Sequence, residues 1–172
     1  MSIAYIALGS NLGDKEANLR QALKMLLVKG LQIRSVSSFF KTEPYGVTDQ
    51  PEFINAVACV KTDLAPEKLL KLLLDTELEM GRVRLRQYQF FTIIDQVIIQ
   101  KQIQIYISFT PMPQSYPSHF QFSIQKQLQQ LFRCQIRFFV LQPLSEIAAD
   151  KIHPVYKKSI QTLLKSLTDG DE

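Results

Sequence analysis

Residues 38–57, SFFKTEPYGVTDQPEFINAV, contain the pattern that decides the fold. Two strand-like segments, 31–42 and 53–62, flank a loop over 43–52 that is rich in turn-forming residues. Because the connection between them is short, we expect the two strands to pair antiparallel as a hairpin. The loop is still longer than a tight turn requires, which favours a functional role for it.

A further strand and two helices surround this hairpin in the chain. Residues 2–8 are mostly apolar and predict a strand, after which GSNLGD turns the chain into a helix. Asp14 is a plausible N-cap of that helix and Gly30 a plausible end. Its apolar positions recur at helical spacing: Leu19, Ala22, Leu23, Leu26 and Leu27. A second helix is expected to open at Pro66 and end at Gly81.

The remaining elements complete an α+β fold. Apolar and polar residues alternate over 103–109, which predicts a half-buried strand. Apolar positions within 124–136 predict an amphipathic helix, and a final helix is expected within 156–167. Strands and helices interleave without the regular repeat of a parallel sheet. We therefore expect an antiparallel or mixed sheet with helices packed against it, in a single domain over residues 1–172.

Composition favours a soluble intracellular protein. The 172 residues are 46% apolar and 21% charged, as in globular domains. No apolar run is long enough to span a membrane, and the N-terminus lacks the basic start and cleavage site of a signal peptide. Cys59 and Cys134 lie far apart and form no C-x-x-C pair. We expect buried, unreactive thiols and a cytoplasmic location.

The net charge of +4 arises entirely in residues 85–138. That segment has five Lys or Arg residues against one acid, and thirteen Gln with no Gly, Ala, Asn or Glu. A basic, aromatic segment could hold single-stranded nucleic acid. These charges are dispersed, however, and no RNP-like run occurs, so we expect neither a nucleic-acid nor a membrane partner.

Four segments, in order along the chain, resemble successive motifs of one enzyme family. They are YIALGSNLGD (5–14), residues 37–57, LLLDTELEMGRVR (72–84) and FFVLQPLSEIA (138–148). They resemble 6-hydroxymethyl-7,8-dihydropterin pyrophosphokinase, a folate-pathway enzyme that transfers pyrophosphate from ATP to a pterin alcohol. Several motifs in the correct order are far more specific than one glycine-rich turn. The resemblance implies a ferredoxin-like α/β/α sandwich with mobile loops over the site, acting as a monomer.

The resemblance also implies a pterin slot. Its aromatic faces would come from Phe53 and Phe139, and its polar edge from Thr42, Tyr45 and Asn55. Such faces and a few fixed polar partners are what a flat, hydrogen-bonding heterocycle requires. From the residues alone, ordinary core packing is the favoured explanation of the two phenylalanines, and a hydrogen bond to a neighbouring strand is an alternative explanation of Asn55.

For the nucleotide, the resemblance implies five ATP-binding residues. Arg82, Arg84 and Arg137 match positions that contact phosphate, and Leu74 and Glu77 match nucleotide contacts on the preceding helix. The guanidinium group of arginine can donate two parallel hydrogen bonds to phosphate oxygens. The pterin hydroxyl would attack the β-phosphorus and AMP would leave. Without the resemblance, the arginines would be interpreted as a solvated charge run.

The expected metal site is incomplete. The family holds two magnesium ions with an Asp-x-Asp motif, and counting from Arg84 places Asp95 on its first aspartate. Val97 falls on the second aspartate and Thr92 on a catalytic arginine. Valine offers no oxygen to magnesium, which prefers carboxylates and water. Asp95 is therefore the predicted magnesium ligand and, with Arg82, the predicted catalytic residue.

Three hypotheses follow from this mismatch. In the first, the chain is an active pyrophosphokinase whose middle segment aligns differently with the family or uses substitute ligands. In the second, it binds pterin or nucleotide without turnover. In the third, residues 85–138 derive from a frame-shifted reading of the coding sequence, since their unusual composition begins and ends abruptly. Outside these motifs, His153 precedes a proline and is interpreted as a loop cap rather than a catalytic group.

Overall fold

The computed structural model describes residues 1–44, 49–81, 103–109, 137–153 and 156–169. Their strands are β1 (Ser2–Ser10), β2 (Gln32–Val36), β3 (Phe40–Thr42), β4 (Phe53–Thr62) and β5 (Ile103–Phe109). Their helices are α1 (Lys15–Val28), α2 (Pro66–Glu79), α3 (Phe138–Ala148) and α4 (Ile160–Thr168). None of the helices in these ranges is long and apolar enough to cross a membrane.

Every strand pairing in these ranges is antiparallel. β1 pairs with β4 from Ser2↔Thr62 to Ser10↔Ile54, and with β5 along its other edge. The strand order is β2-β4-β1-β5, and β3 also pairs with β4. Thr42 lies opposite Phe53 in the β3–β4 pair, which confirms the predicted hairpin.

Two layers of helices cover the two faces of the sheet. Successive side chains of a strand point to opposite faces, so each strand serves both layers. One face packs on α1 and α2 through Ala4, Ile6, Leu8, Ala56, Ala58 and Val60. The other packs on α3 and α4 through Ala7 and Val57. The predicted α+β class and α/β/α sandwich are confirmed.

The predicted helix ends are confirmed, and one of the apolar positions at helical spacing on α1 is exposed. Asp14 Oδ1 accepts a hydrogen bond from the Ala17 amide at 3.0 Å, and Gly30 leaves the helix at φ +90°. Leu26 is fully buried, whereas its neighbour Leu27 is 52% exposed. Adjacent helical residues differ in direction by about 100°. Of the apolar positions at helical spacing, Leu27 therefore does not belong to the buried face.

The single strand predicted over residues 31–42 is divided into β2 and β3. At the break, the Ser37 amide donates to the Val57 carbonyl at 2.9 Å, and Ser37 Oγ accepts from the Val57 amide at 2.9 Å. Ser37 Oγ also donates to the Ser38 carbonyl at 2.8 Å. Serine favours such side-chain to backbone bonds, which replace the regular ladder. The prediction of one strand was wrong because it treated 37–39 as ordinary ladder residues.

Helix α3 was not predicted from the sequence pattern. Pro143 lies inside it and has no amide hydrogen to donate to the preceding turn, which normally argues against a helix. Burial outweighs this cost, because Val140, Leu141 and Leu144 all enter the core. The helix predicted within 124–136 lies outside the described residues. The predicted final helix is confirmed as α4.

Glu146 of α3 is hydrogen-bonded to the segment between β2 and β3. Its Oε2 accepts a hydrogen bond from the Ser38 amide and its Oε1 accepts one from Ser38 Oγ, both at 2.7 Å. Both oxygens of one carboxylate thus bind one residue, an arrangement with a well-defined geometry. The contact ties the first residues of the hairpin to the helix that carries Phe139.

His153 has the structural role predicted from the sequence. It is 2% exposed, and its Nδ1 accepts a hydrogen bond from the Tyr156 amide at 3.3 Å. Its own amide donates to the Lys158 carbonyl at 2.8 Å, which closes the turn before α4. Burial lowers the pKa of His153 from its ordinary value of 6.5. The residue is therefore a neutral loop cap at neutral pH.

The lowered pKa of His153 predicts a pH dependence of stability. The unfolded chain binds a proton at His153 more readily than the folded chain does. The free energy of unfolding should therefore be fully retained above the ordinary value of 6.5 and fall as pH decreases below it. His153→Asn keeps a hydrogen-bond acceptor but no titrating group, so its profile should be flatter. Urea unfolding between about pH 5 and pH 7.5 measures this, and parallel profiles for the two proteins would contradict it.

Cys59 is half-buried on β4 rather than fully buried. Burial raises the pKa of its thiol. The thiol is therefore protonated at neutral pH and a poor nucleophile. The prediction of a buried thiol is correct only in part, and Cys134 lies outside the described residues.

Candidate active site

Strands β3 and β4 bring three of the predicted pterin residues to one face of the sheet. Asn55 lies opposite Gly9 of β1 on one side and opposite Phe40 of β3 on the other. Thr42 lies opposite Phe53, two residues before Asn55. Directly paired residues share a face, as do residues two apart on a strand. Thr42, Phe53 and Asn55 therefore point to the same side of the sheet.

The carboxamide of Asn55 is fixed by a hydrogen bond. Asn55 is 7% exposed, and its Nδ2 donates to Thr42 Oγ1 at 2.7 Å. This bond sets the rotation of the carboxamide, because a buried amide donor is costly to leave unpaired. The interpretation of Asn55 as a residue that bonds a neighbouring strand is thus confirmed. The same bond orients the group as a polar edge.

Two aromatic side chains lie on the same side as Asn55. Phe139, in the first turn of α3, packs against the cluster that contains Ala7 and Val57, which share the face of Asn55. Phe53 and Phe139 are both only partly buried. Fully buried core aromatics would have no face left for a ligand. The structure therefore leaves both rings partly accessible on the face where the slot was predicted.

A buried polar cluster at the end of β1 was missed by the sequence analysis. Ser10 and Asn11 are both buried. Asn11 Nδ2 donates to Gln50 Oε1 at 3.1 Å, and Asn18 Nδ2 donates to Ser10 Oγ at 3.1 Å. The signal was present as the polar pair in GSNLGD, directly after an apolar strand. These bonds join the start of α1 to the end of the long hairpin loop.

Charged residues close the base of that loop. Lys41 Nζ and a carboxylate oxygen of Glu52 lie 2.5 Å apart across the hairpin, and Lys15 Nζ donates to the Glu52 carbonyl at 2.6 Å. The hydrogen bond between the Lys41 and Glu52 side chains raises the pKa of Lys41 and lowers the pKa of Glu52. Because both side chains are solvent-exposed, the pair contributes little stability. It does define where the loop returns to β4.

The predicted nucleotide residues divide between the two helical layers. Leu74 and Glu77 lie on α2, where Glu77 is only 2% exposed. Arg137 is the N-cap residue of α3, on the other side of the sheet, and is half-buried. Leu74 and Glu77 thus lie on the opposite side of the sheet from the helix that Arg137 precedes. Tyr45, Arg82, Arg84 and Asp95 lie outside the described residues.

The magnesium prediction receives no test from the part of the chain that the structure describes. No group of three or more His, Cys, Asp or Glu residues there could hold a metal ion. Asp95 remains the predicted ligand on the resemblance alone.

The face bearing Thr42, Phe53 and Asn55 lies within a region that one family model matches. The model for 7,8-dihydro-6-hydroxymethylpterin-pyrophosphokinase (HPPK) matches residues 5–149. The chain belongs to this family. The HPPK match includes all four segments from which the resemblance was inferred, and that prediction is confirmed.

Curated relatives agree with the HPPK family. The chain is 36% identical over 170 residues to 2-amino-4-hydroxy-6-hydroxymethyldihydropteridine pyrophosphokinase of Haemophilus influenzae, covering 98% of this chain and 95% of the relative. The enzyme of the same name from Bacillus subtilis is 35% identical over 149 residues, covering 85% and 78%. The function is accordingly that of the HPPK enzyme, pyrophosphoryl transfer in folate biosynthesis. These matches do not favour the alternative of binding without turnover.

A solved structure shows the same fold. An HPPK-DHPS structure in complex with substrates aligns with a TM-score of 0.64 at 12% identity. The alignment covers 99% of this chain and 46% of the solved chain. The likeness supports the sandwich architecture of an HPPK domain and, at this identity, nothing further. This chain spans less than half of that solved protein.

Proposed function

We propose that Thr42, Phe53, Asn55 and Phe139 bind the pterin ring of the substrate, with Tyr45 completing its polar edge. The observation that carries this proposal is the 2.7 Å hydrogen bond from Asn55 Nδ2 to Thr42 Oγ1 beside a half-buried aromatic ring. A fixed amide discriminates well between heterocycles, because a mismatched ligand would leave it unpaired. Phe53 and Phe139 supply the apolar faces.

The nucleotide side of the proposal assigns Leu74, Glu77, Arg82, Arg84 and Arg137 to ATP. The hydroxyl oxygen of the pterin alcohol attacks the β-phosphorus of ATP, and the bond between that phosphorus and the α–β bridging oxygen breaks. The hydroxyl proton is lost and AMP leaves with the bridging oxygen. Arginine charge stabilises the phosphate oxygens during this transfer. Magnesium bound by Asp95 is proposed as the cofactor.

The remaining assignments follow the same proposal. Both substrates are small molecules. The chain is also proposed to act as a monomer in the cytoplasm, without a nucleic-acid or membrane partner. The single family match across residues 5–149 supports one domain. The dispersed charge of 85–138 supports the exclusion of nucleic acid.

A pair of substitutions at Thr42 tests the slot. Thr42→Val has nearly the same shape but removes the acceptor of Asn55 Nδ2, whereas Thr42→Ser keeps the hydroxyl. We expect Thr42→Val to weaken binding of 6-hydroxymethylpterin about tenfold, the usual scale for one buried hydrogen bond. Thr42→Ser should retain most of the affinity. Isothermal titration calorimetry measures both, and equal affinities for the two variants would overturn the role of this hydrogen bond.

A further inference from the structure

Gly9 lies directly opposite Asn55 in the β1–β4 pair. A Cβ atom placed on Gly9 would lie 2.6 Å from Asn55 Oδ1 and 3.7 Å from Asn55 Cγ. It would also lie 3.8 Å from the Cδ1 atom of Phe53. Real Cβ atoms essentially never approach another heavy atom to within 3.0 Å. The carboxamide of Asn55 therefore occupies space that any residue other than glycine would fill.

The obstacle at Gly9 is steric and involves one side chain. The glycines with positive φ are Gly13, Gly30 and Gly81, among the residues described here. The backbone at Gly9 is therefore ordinary strand that alanine can adopt. The ladder on either side of Gly9, from Ser2↔Thr62 to Ser10↔Ile54, holds the two backbones in register. A methyl group at position 9 would thus have to displace the side chain of Asn55.

Asn55 cannot yield without losing its orientation. Its carboxamide is held by the hydrogen bond to Thr42 Oγ1, and the residue is almost fully buried. Rotation away from position 9 would lengthen or break that bond and leave the buried Nδ2 without its acceptor. The Cδ1 atom of Phe53, at 3.8 Å, would be in ordinary van der Waals contact with the added Cβ, so the clash is with Asn55.

We infer that Gly9 is a positioning residue for pterin recognition, which acts by leaving room for the Asn55 carboxamide in the orientation set by Thr42. The inference rests on the proposed pterin slot. Pterin recognition would then also require the absence of a side chain at position 9 of β1, a strand that carries none of the predicted pterin contacts. The proposed effect of Gly9 on pterin binding is indirect and acts through the orientation of the Asn55 carboxamide.

A double-mutant cycle tests the inference. Calorimetry gives the dissociation constants of 6-hydroxymethylpterin and ATP for the unmodified chain, Gly9→Ala, Asn55→Ala and the double variant. Gly9→Ala should weaken pterin binding about tenfold in the unmodified background and less than about twofold in the Asn55→Ala background. ATP affinity should remain unchanged throughout. Gly30→Ala is the matched control, since it strains a positive-φ glycine at the end of α1 and should keep pterin affinity.

The outcomes separate the inference from the proposed function. No pterin binding by the unmodified chain would overturn the slot, and the inference with it. If the unmodified chain binds pterin but Gly9→Ala weakens binding equally in the unmodified and Asn55→Ala backgrounds, the inference alone would be overturned. If Gly9→Ala fails to fold, folding of the double variant would support the inference, because removal of the Asn55 carboxamide would have relieved the clash. Failure of both to fold would overturn it.

Discussion

Asp95→Asn is expected to lower magnesium-dependent pyrophosphoryl transfer by at least about 100-fold. Asp95 is the proposed magnesium ligand, since the resemblance places it on the first aspartate of the family motif and Val97 on the second. An amide of the same shape removes the charge that holds a hard divalent cation. AMP release from ATP in the presence of the pterin alcohol measures the effect. Activity equal to that of the unmodified chain would show that the metal site lies elsewhere.

Controls for Asp95 distinguish the hypotheses about residues 85–138. Asp169→Asn alters an exposed aspartate after α4 and should leave AMP release unchanged. Val97→Asp combined with Thr92→Arg restores the family pattern and should raise the rate. Mass spectrometry of the tryptic peptide 87–101 establishes that the assayed chain contains Asp95. Absence of that peptide, with a different sequence in its place, would support the frame-shift hypothesis.

The second large effect is expected at Asn55. Asn55→Ala removes the carboxamide that the structure fixes against Thr42 and opposite Gly9. We expect pterin affinity to fall about 100-fold, which corresponds to a few kcal/mol for buried hydrogen bonds left unmade. Affinity for ATP should not change, because Asn55 is not among the residues proposed to bind ATP, and two of those, Leu74 and Glu77, lie in the other helical layer. Parallel losses for both ligands would instead indicate a general loss of structure.

A matched control for Asn55 is available on α1. Asn18→Ala removes a side chain that donates to Ser10 Oγ and the Leu12 carbonyl but does not contact Thr42. It should lower the free energy of unfolding without selectively weakening pterin binding. Asn55→Ala and Asn18→Ala should therefore differ in pterin affinity even if their stability losses are similar.

Features encoded by neighbouring residues were predictable from the sequence. The hairpin followed from two strand patterns around a turn-rich loop, and Asp14 and Gly30 marked the ends of α1 through local backbone chemistry. The grouping of Thr42, Phe53 and Asn55 was implied by the family resemblance, and the hairpin register places Thr42 opposite Phe53.

Features that depend on distant parts of the chain were not predictable. The break at Ser37 reflects bonds to Val57 and the contact of Ser38 with Glu146, a residue from a different helix. Helix α3 forms despite Pro143 because its apolar face is buried against the sheet. The close approach of Gly9 to Asn55 exists only once β1 and β4 pair. Local patterns contain no information on such contacts, and tertiary packing determines them.

The most direct test of the pterin slot is titration of the unmodified chain with 6-hydroxymethylpterin in a calorimeter. The slot proposed for Thr42, Phe53, Asn55 and Phe139 predicts saturable binding of one pterin per chain. The affinity should be retained in Thr42→Ser and lost progressively in Thr42→Val and Asn55→Ala. Absence of saturable heat from the intact, folded chain would contradict the assignment of these residues to the pterin.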